Sequence, residues 1–229
     1  MKAYLELREV RRLEEAATNL RDWLLIRLLF HLGCRVSEAI AVTTDDIDLV
    51  RGTVTILHLK TRSKLSCIGC GQRLGRYHTF CPKCGAKVDK AQAEQQERRR
   101  QRVLPIDGET LQILTEYVQR GGPVLRDGKR LIFNVNRHRA WQIVKECAEK
   151  ARLPRLVNSE SGKVHNVSPH RLRDAFAVYA VKLNDSGDGL RMLQEHLGHQ
   201  SISTTMRYRK VSGKEHRDWY HKLWKKDSS

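Results

Sequence analysis

Apolar and polar residues recur along this chain with two different periods, and the periods divide it into elements. Leu5, Val10, Leu13 and Ala17 fall at helical spacing among charges, which predicts an amphipathic helix over residues 5–17. Asn19 is suited to cap a second helix that runs to Leu32 and stops at Gly33, because glycine accepts the left-handed backbone that ends a helix. A short helix follows over residues 35–40, with Ser37 read as its N-cap. From Thr53 to Lys60 (TVTILHLK) the period drops to two and β-branched residues dominate. A strand is predicted there, entered through the turn Arg51-Gly52. A second strand-like run, residues 102–106, comes more than 40 residues later. Pairing the two as a hairpin makes residues 61–97 an insertion in its loop.

Beyond the hairpin the helical period returns. It covers 108–120, ended by Gly121-Gly122-Pro123, and 137–152, ended before Pro154. Ser168-Pro169 is an N-cap and first-position pair for a helix over 169–183. Gly187 and Gly189 are expected to separate that helix from one over 190–197, and a short helix is expected at 201–209. Residues 213–225 put Trp219, Tyr220, Leu223 and Trp224 on one stripe. There is no internal repeat. The expected fold class is α+β, mainly α, with a small antiparallel sheet.

Composition narrows the partners. The 229 residues are 40% hydrophobic, enough to bury a core and too many for a disordered chain. Lys and Arg number 43 against 26 acids, a formal net charge of +17, which points to a polyanion. An apolar route into a membrane is missing. The longest apolar run, Trp23 to Phe30, is interrupted by Arg27 and falls far short of the roughly 20 residues a span needs. Met1-Lys2 opens on a charged stretch and not on an apolar signal segment, so the expected location is the reducing cytoplasm. Six cysteines in such a compartment read as metal ligands or buried thiols.

Four of them fall in the insertion. Cys67-Ile-Gly-Cys70 and Cys81-Pro-Lys-Cys84 form a CxxC-x10-CxxC pattern, each pair followed by a glycine. Two cysteines three apart on a tight turn direct both sulfurs at one ion, and two such knuckles complete a tetrahedral sulfur site. The expected ion is structural Zn²⁺, with an iron–sulfur cluster or a redox pair as the alternatives. Four protein sulfurs leave no open coordination position, so no catalytic role is expected of it. Cys34 and Cys147 lie elsewhere and are expected to be buried thiols. Segment 61–97 carries a net charge of only +4, leaving +13 on the remainder, so the basic surface belongs mainly to the helical body. Arg98, Arg99 and Arg100 border the insertion, either as phosphate contacts or as a solvated charged face.

The remaining chemistry lies in a set of residues in a fixed order: Arg35 in GCRVSEAI, Lys60 in HLKTRSK, His170 and Arg173 in SPHRLRDAF, His199 in LGHQSISTT, and Tyr208 nine positions later. In that order they resemble the catalytic domain of the tyrosine recombinase (phage integrase) family. The resemblance covers residues 1–60 and 98–229 and leaves 61–97 as an inserted zinc ribbon. It implies a site-specific DNA recombinase or integrase acting on double-stranded DNA, with self-assembly on DNA from dimer to tetramer. Tyr208 is then the nucleophile, making a 3′-phosphotyrosyl link and freeing a 5′-hydroxyl. Arg35 and Arg173 suit the charge that develops on the non-bridging phosphate oxygens, because a guanidinium forks onto two oxygens where lysine offers a point charge. His199 adds a donor, and His170 is expected beside Tyr208 as its base. Lys60, in preference to Lys64, would protonate the leaving 5′-oxygen. Glu38, one turn after Arg35, resembles the carboxylate that holds the first arginine.

The phosphotyrosine stores the bond energy, so the resemblance implies no ATP and no catalytic metal. A type IB topoisomerase shares the chemistry, but its tyrosine is not usually introduced by an LGH-x8-Y arrangement; a catalytically silent DNA-binding regulator could share the fold, and the complete residue set argues against that. The family commonly places a helical DNA-binding domain ahead of this region, whereas here the catalytic pattern starts within the first residues. A rigid basic ribbon in the hairpin loop is expected to reach along the duplex in partial replacement, through Arg62, Lys64, Arg73 and Arg76. The stripe at 213–225 is expected to dock either on a neighbouring copy or on its own domain.

Overall fold

The computed structural model describes residues 3–57, 66–75, 77–88, 101–157, 162–209 and 220–221. Helix α1 (Leu7–Glu15) opens with a capping box in which Glu9 accepts from the Glu6 N–H at 2.9 Å. Helix α2 (Leu20–His31) starts where Asn19 Oδ1 accepts from the Asp22 N–H at 2.9 Å. Its residues Leu24 to Phe30 are all buried, as a helix apolar on every side must be. The charge in that run, Arg27, is buried too, and it donates to Thr110 Oγ1 and to the carboxylates of Glu14, Asp107 and Glu109.

Helix α3 (Val36–Ala39) departs from the expected cap. Arg35, not Ser37, is the N-cap: its backbone is extended, and Glu38 at the third helical position accepts from its N–H. A carboxylate three residues on satisfies the orphan N–H of Arg35, which a Ser37 cap would have left open.

The predicted hairpin is present. Strand β1 (Ile47–Asp48) pairs antiparallel with β2 (Thr53–Leu57), which pairs antiparallel with β3 (Gln101–Pro105) from Thr53↔Pro105 to Leu57↔Gln101. Val54, Ile56 and Leu104 point into the core. Residues 58–100 therefore lie in the hairpin's loop, and within them the expected positions of Lys60, Arg62, Lys64, Arg76, Arg98, Arg99 and Arg100 fall outside the described residues.

Helices α4 (Gly108–Gln119), α5 (Arg137–Lys150) and α6 (Pro169–Leu183) pack around α2. Strands β4 (Val124–Arg126) and β5 (Lys129–Leu131) form a hairpin turned by Asp127 and Gly128, both with positive φ. Strands β6 (Leu156–Val157) and β7 (Val164–His165) form another pair. Neither pair was expected. Helix α7 runs over Gly187–Leu197, so both glycines thought to separate helices lie inside one; Ser186 caps it by accepting from the Gly189 N–H. Helix α8 (Ile202–Met206) follows Gly198. Of the terminal stripe, Trp219, Leu223 and Trp224 lie outside the described residues.

Candidate active site

Two helix ends that meet create the cleft. Gly33 closes α2 with φ +52°, and a Cβ there would strike the Phe176 ring, so the position admits only glycine. Its carbonyl thereby faces α6 and accepts from Arg173 Nη1 at 2.5 Å. Gly198 closes α7 in the left-handed conformation, and its neighbour Leu197 presents a carbonyl that accepts from Arg173 Nη2 at 2.8 Å. The guanidinium of Arg173, only 3% exposed, is thus pinned between the ends of two helices. Burial, with Arg35 nearby, pulls its pKa down to about 10, still charged at neutral pH.

His199 follows directly. Its Nε2 lies 3.1 Å from Arg173 Nη2 and its Nδ1 lies 2.9 Å from Thr205 Oγ1. A guanidinium only donates, so Nε2 must accept and the proton sits on Nδ1, shared with the buried threonine. Burial and the positive charges of Arg173, Arg35 and Arg102 push its pKa down to about 4, so this imidazole is neutral in the free protein.

Arg35 enters from the N-cap of α3. Glu38 accepts from its backbone N–H at 2.9 Å and from its Nη1 at 2.8 Å. The same carboxylate accepts from Arg102 Nη2 on β3 at 2.6 Å. Glu38 is 3% exposed, so the sequence expectation that it holds the first arginine agrees with this geometry. Arg102 is a residue the sequence reading missed.

Tyr208 lies two residues past α8, its ring 6.2 Å from that of His199 and nearly parallel to it. His170 was expected beside it as a base. That position is taken by Asp174: the Tyr208 hydroxyl donates to Asp174 Oδ1 at 3.0 Å. The His170 side chain is 71% exposed, and its Nε2 lies 3.8 Å from the other carboxylate oxygen, Asp174 Oδ2. His170 reaches outward from the first turn of α6, whereas Asp174, one turn on, faces inward. Burial and the Asp174 carboxylate both push the Tyr208 hydroxyl above its ordinary pKa. Arg35, His170, Arg173, His199 and Tyr208 all line one open cleft of about 520 Å³, with Arg137, Arg171 and Arg207 adding positive charge at its walls.

The four inserted cysteines form a second cluster. Their sulfurs all lie within 4.8 Å of one another, with Cys67 to Cys84 at 3.5 Å and Cys70 to Cys81 at 3.6 Å. A tetrahedron of Zn–S bonds of about 2.3 Å has edges of roughly 3.8 Å, so the set fits one zinc ion. The two knuckles repeat each other. Cys67 N–H donates to Gln72 O and Gly71 N–H to Cys67 O; Cys81 N–H donates to Ala86 O and Gly85 N–H to Cys81 O. Gly71 and Gly85 both have positive φ, which the tight reversal demands. Arg73 is exposed on this module. Cys34 and Cys147 are buried thiols as expected, and burial pushes Cys34 up to about 12.

Comparison with known proteins agrees with this geometry. The phage integrase family profile matches residues 3–68 and 83–215. Similar proteins include tyrosine recombinase XerD of Corynebacterium glutamicum, 28% identical over 214 residues, covering 90% of this chain and 52% of that protein. Tyrosine recombinase XerC of Roseiflexus is 31% identical over 208 residues, covering 85% of this chain and 49% of that one. The chain thus spans about half the length of the curated relatives it matches. Among solved structures, XerA recombinase superposes with a TM-score of 0.62 at 21% identity, covering 99% of this chain and 67% of that one. The catalytic domain of bacteriophage HP1 integrase gives 0.55 at 18%, with 96% and 95% covered. With a family profile matching most of its length and a mainly helical fold that superposes on those recombinases, the chain belongs to the phage integrase family.

Proposed function

We propose that this chain cuts and rejoins double-stranded DNA as a site-specific recombinase or integrase, through a 3′-phosphotyrosyl intermediate on Tyr208. One observation carries the reading: five residues from four separate parts of the chain, Arg35, His170, Arg173, His199 and Tyr208, converge on one cationic cleft.

The scissile phosphate occupies the space between Arg35 and Arg173, whose forked donors match its non-bridging oxygens. Both guanidiniums are fixed before DNA arrives, one by Glu38 and one by two carbonyls, so little reorganisation opposes the transition state. The Tyr208 oxygen attacks phosphorus; a phosphorus–oxygen bond to tyrosine forms and the bond to the 5′-oxygen breaks. Lys60, which follows β2, supplies the proton that oxygen needs. His199 donates to the phosphate once protonated. A 5′-hydroxyl from another strand then attacks the phosphotyrosine in reverse, which exchanges strands without ATP. Exchange between two duplexes calls for several copies on DNA, from dimer to tetramer, in a nucleoid-associated cytoplasmic enzyme. A solved XerH recombinase bound to its difH substrate, which this chain covers 54% of at a TM-score of 0.58, supports DNA as the partner.

The inserted module is a structural Zn²⁺ ribbon on Cys67, Cys70, Cys81 and Cys84. When bound, the ion cross-links the two knuckles and supplies no step of the reaction. Arg62, Lys64, Arg73 and Arg76, with Arg98, Arg99 and Arg100 at its border, contact phosphates along the duplex.

The test is a nicked suicide duplex that traps covalent adducts. Tyr208→Phe is expected to abolish the adduct and keep DNA binding, since the net charge that supplies most affinity is untouched. Undiminished adducts in that variant overturn the assignment and turn attention to Tyr179 or Tyr220. Relaxed circles with no two-site products would favour a topoisomerase instead.

A further inference from the structure

The nucleophile proposed above has a hydrogen-bond partner that the sequence pattern did not supply. Asp174 follows Arg173 on α6, its side chain 9% exposed, and Oδ1 accepts from the Tyr208 hydroxyl at 3.0 Å. The other oxygen is held from the outside: Arg171 Nη1 donates to Oδ2 at 2.9 Å, and His170 Nε2 lies 3.8 Å from it. The carboxylate is therefore held by the Arg171 guanidinium on its far side and offers its near oxygen to the reacting atom. Resting on the reading of Tyr208 as nucleophile, we propose that Asp174 is a catalytic residue, the acceptor of the Tyr208 proton during strand cleavage and its donor during rejoining.

The chemistry balances. As the tyrosine oxygen bonds to phosphorus, its O–H bond breaks and the proton moves to Asp174 Oδ1, while the 5′-oxygen leaves with a proton from Lys60. In rejoining, the 5′-hydroxyl returns its proton to Lys60 as its oxygen bonds to phosphorus, the tyrosine–phosphorus bond breaks, and Asp174 returns a proton to the phenolate. A carboxylate is a weak base toward a free phenol, and the contact indeed holds the Tyr208 hydroxyl protonated at rest. The phenol becomes a strong acid only once it is bonding to phosphorus, and transfer at that stage needs no strong base. Protein kinases use an aspartate in the same way toward a far less acidic alcohol. The arrangement also assigns a neighbour. Arg171 does not touch the hydroxyl in this structure but donates to Asp174 Oδ2, so it acts as a positioning residue for the carboxylate. An aspartate that close to a scissile phosphate would ordinarily repel it, and Arg171, Arg173 and Arg35 around the cleft offset that repulsion.

Asp174→Asn keeps shape and removes the proton acceptor. Single-turnover cleavage of the suicide duplex by the full chain should fall by about 10²-fold or more, the range of a lost general base, with DNA affinity not reduced and the protein still folded, its melting lowered by the lost charge of the Arg171–Asp174 pair. Asp174→Ala leaves space beside the hydroxyl, and added formate should restore part of its cleavage, which a merely structural role for Asp174 would not produce. Tyr208→Phe runs alongside: adducts persisting there sink the nucleophile reading, whereas an adduct-free Tyr208→Phe beside an Asp174→Asn that cleaves at the wild-type rate, or faster, sinks this proposal alone. If one Asp174 variant does not fold, the other decides. A folded Asp174→Ala that formate leaves inactive also counts against it.

Discussion

Glu38→Gln removes the one carboxylate on which the first arginine of the cleft is built. In the wild type it accepts from Arg35 N–H at 2.9 Å, Arg35 Nη1 at 2.8 Å and Arg102 Nη2 at 2.6 Å. Hydrogen bonds to a charged group contribute about 1.5–3 kcal/mol each, but three that share one carboxylate do not add. The better guide is the cost of stripping one partner from a buried ion pair, about 3–5 kcal/mol. Arg35 has a side chain 32% exposed, so water takes over part of its loss. Arg102 cannot be relieved that way: its side chain is 12% exposed, and its Nε is already buried without a partner. For a chain of this size each kcal/mol moves Tm by about 2–4 °C, so Tm should fall by roughly 6–20 °C. Burial alone would push the Glu38 carboxyl up, but the Arg35 N–H and the two guanidiniums outweigh it and hold it below its ordinary value. The stabilisation is therefore complete above the unfolded-state value and disappears as pH falls through the depressed folded one. Urea denaturation of both proteins, at neutral pH and in acid, reads this directly. A loss under about 1 kcal/mol at neutral pH, the range of a solvated surface pair, would refute the reasoning, as would a gap that widens in acid.

His199 is neutral in the free cleft, and a phosphate anion beside it must raise its pKa, so DNA binding should take up a proton at pH values above about 4. Calorimetry in buffers of different ionisation enthalpy would show it, and heats independent of buffer would count against the assignment. Chelation should unfold the ribbon locally while leaving the melting of the helical body in place, because among the described residues the ribbon's buried apolar cluster beyond its cysteines is Leu74 with Val88 packed on it. About one zinc per chain is expected by elemental analysis, and a metal-free protein with four reactive thiols rejects the site. Arg73→Ala with Arg76→Ala should weaken DNA binding and flatten its log-affinity against log-salt plot by about one unit per lost contact; an unchanged slope makes the ribbon a decoration.

What the sequence made legible was local. Ser168-Pro169 and Asn19 announce helix starts because a cap is settled within three residues of itself. The β2–β3 hairpin showed through a 43-residue loop because both strands alternate against one buried face. The same locality explains the errors. Ser37 looked like a cap until the Arg35–Glu38 box competed with it, and Ser186 placed Gly187 and Gly189 inside a helix that their identity argues against. The Asp127-Gly128 turn was readable as a hairpin signal, but its strands are exposed and three residues long, too short to show a period. Asp174 and Arg102 were missed for a different reason. Their partners lie 34 and 64 positions away, and only the fold, which carries the segment after α8 to α6 and sets the β2–β3 sheet beside α3, brings them together.

That packing gives the resting cleft its particular character. Its two central guanidiniums already have internal partners: Arg35 the carboxylate of Glu38, Arg173 two carbonyls and the lone pair of His199. Of these contacts, only the one between Arg173 and His199 joins two groups that both take the phosphate in the proposed reaction. The carbonyl anchors come from the ends of α2 and α7 and do not need to move. An arriving phosphate therefore has to displace a single hydrogen bond between a guanidinium and a neutral imidazole. Once Arg173 turns that donor to the phosphate, His199 Nε2 is free to bind a proton and becomes a donor itself. Thr205, fully buried and bonded to Nδ1, keeps the ring in place through the change. On the function proposed above, the step that admits the phosphate is thus the step that arms the second histidine, which would tie catalytic readiness to the presence of DNA.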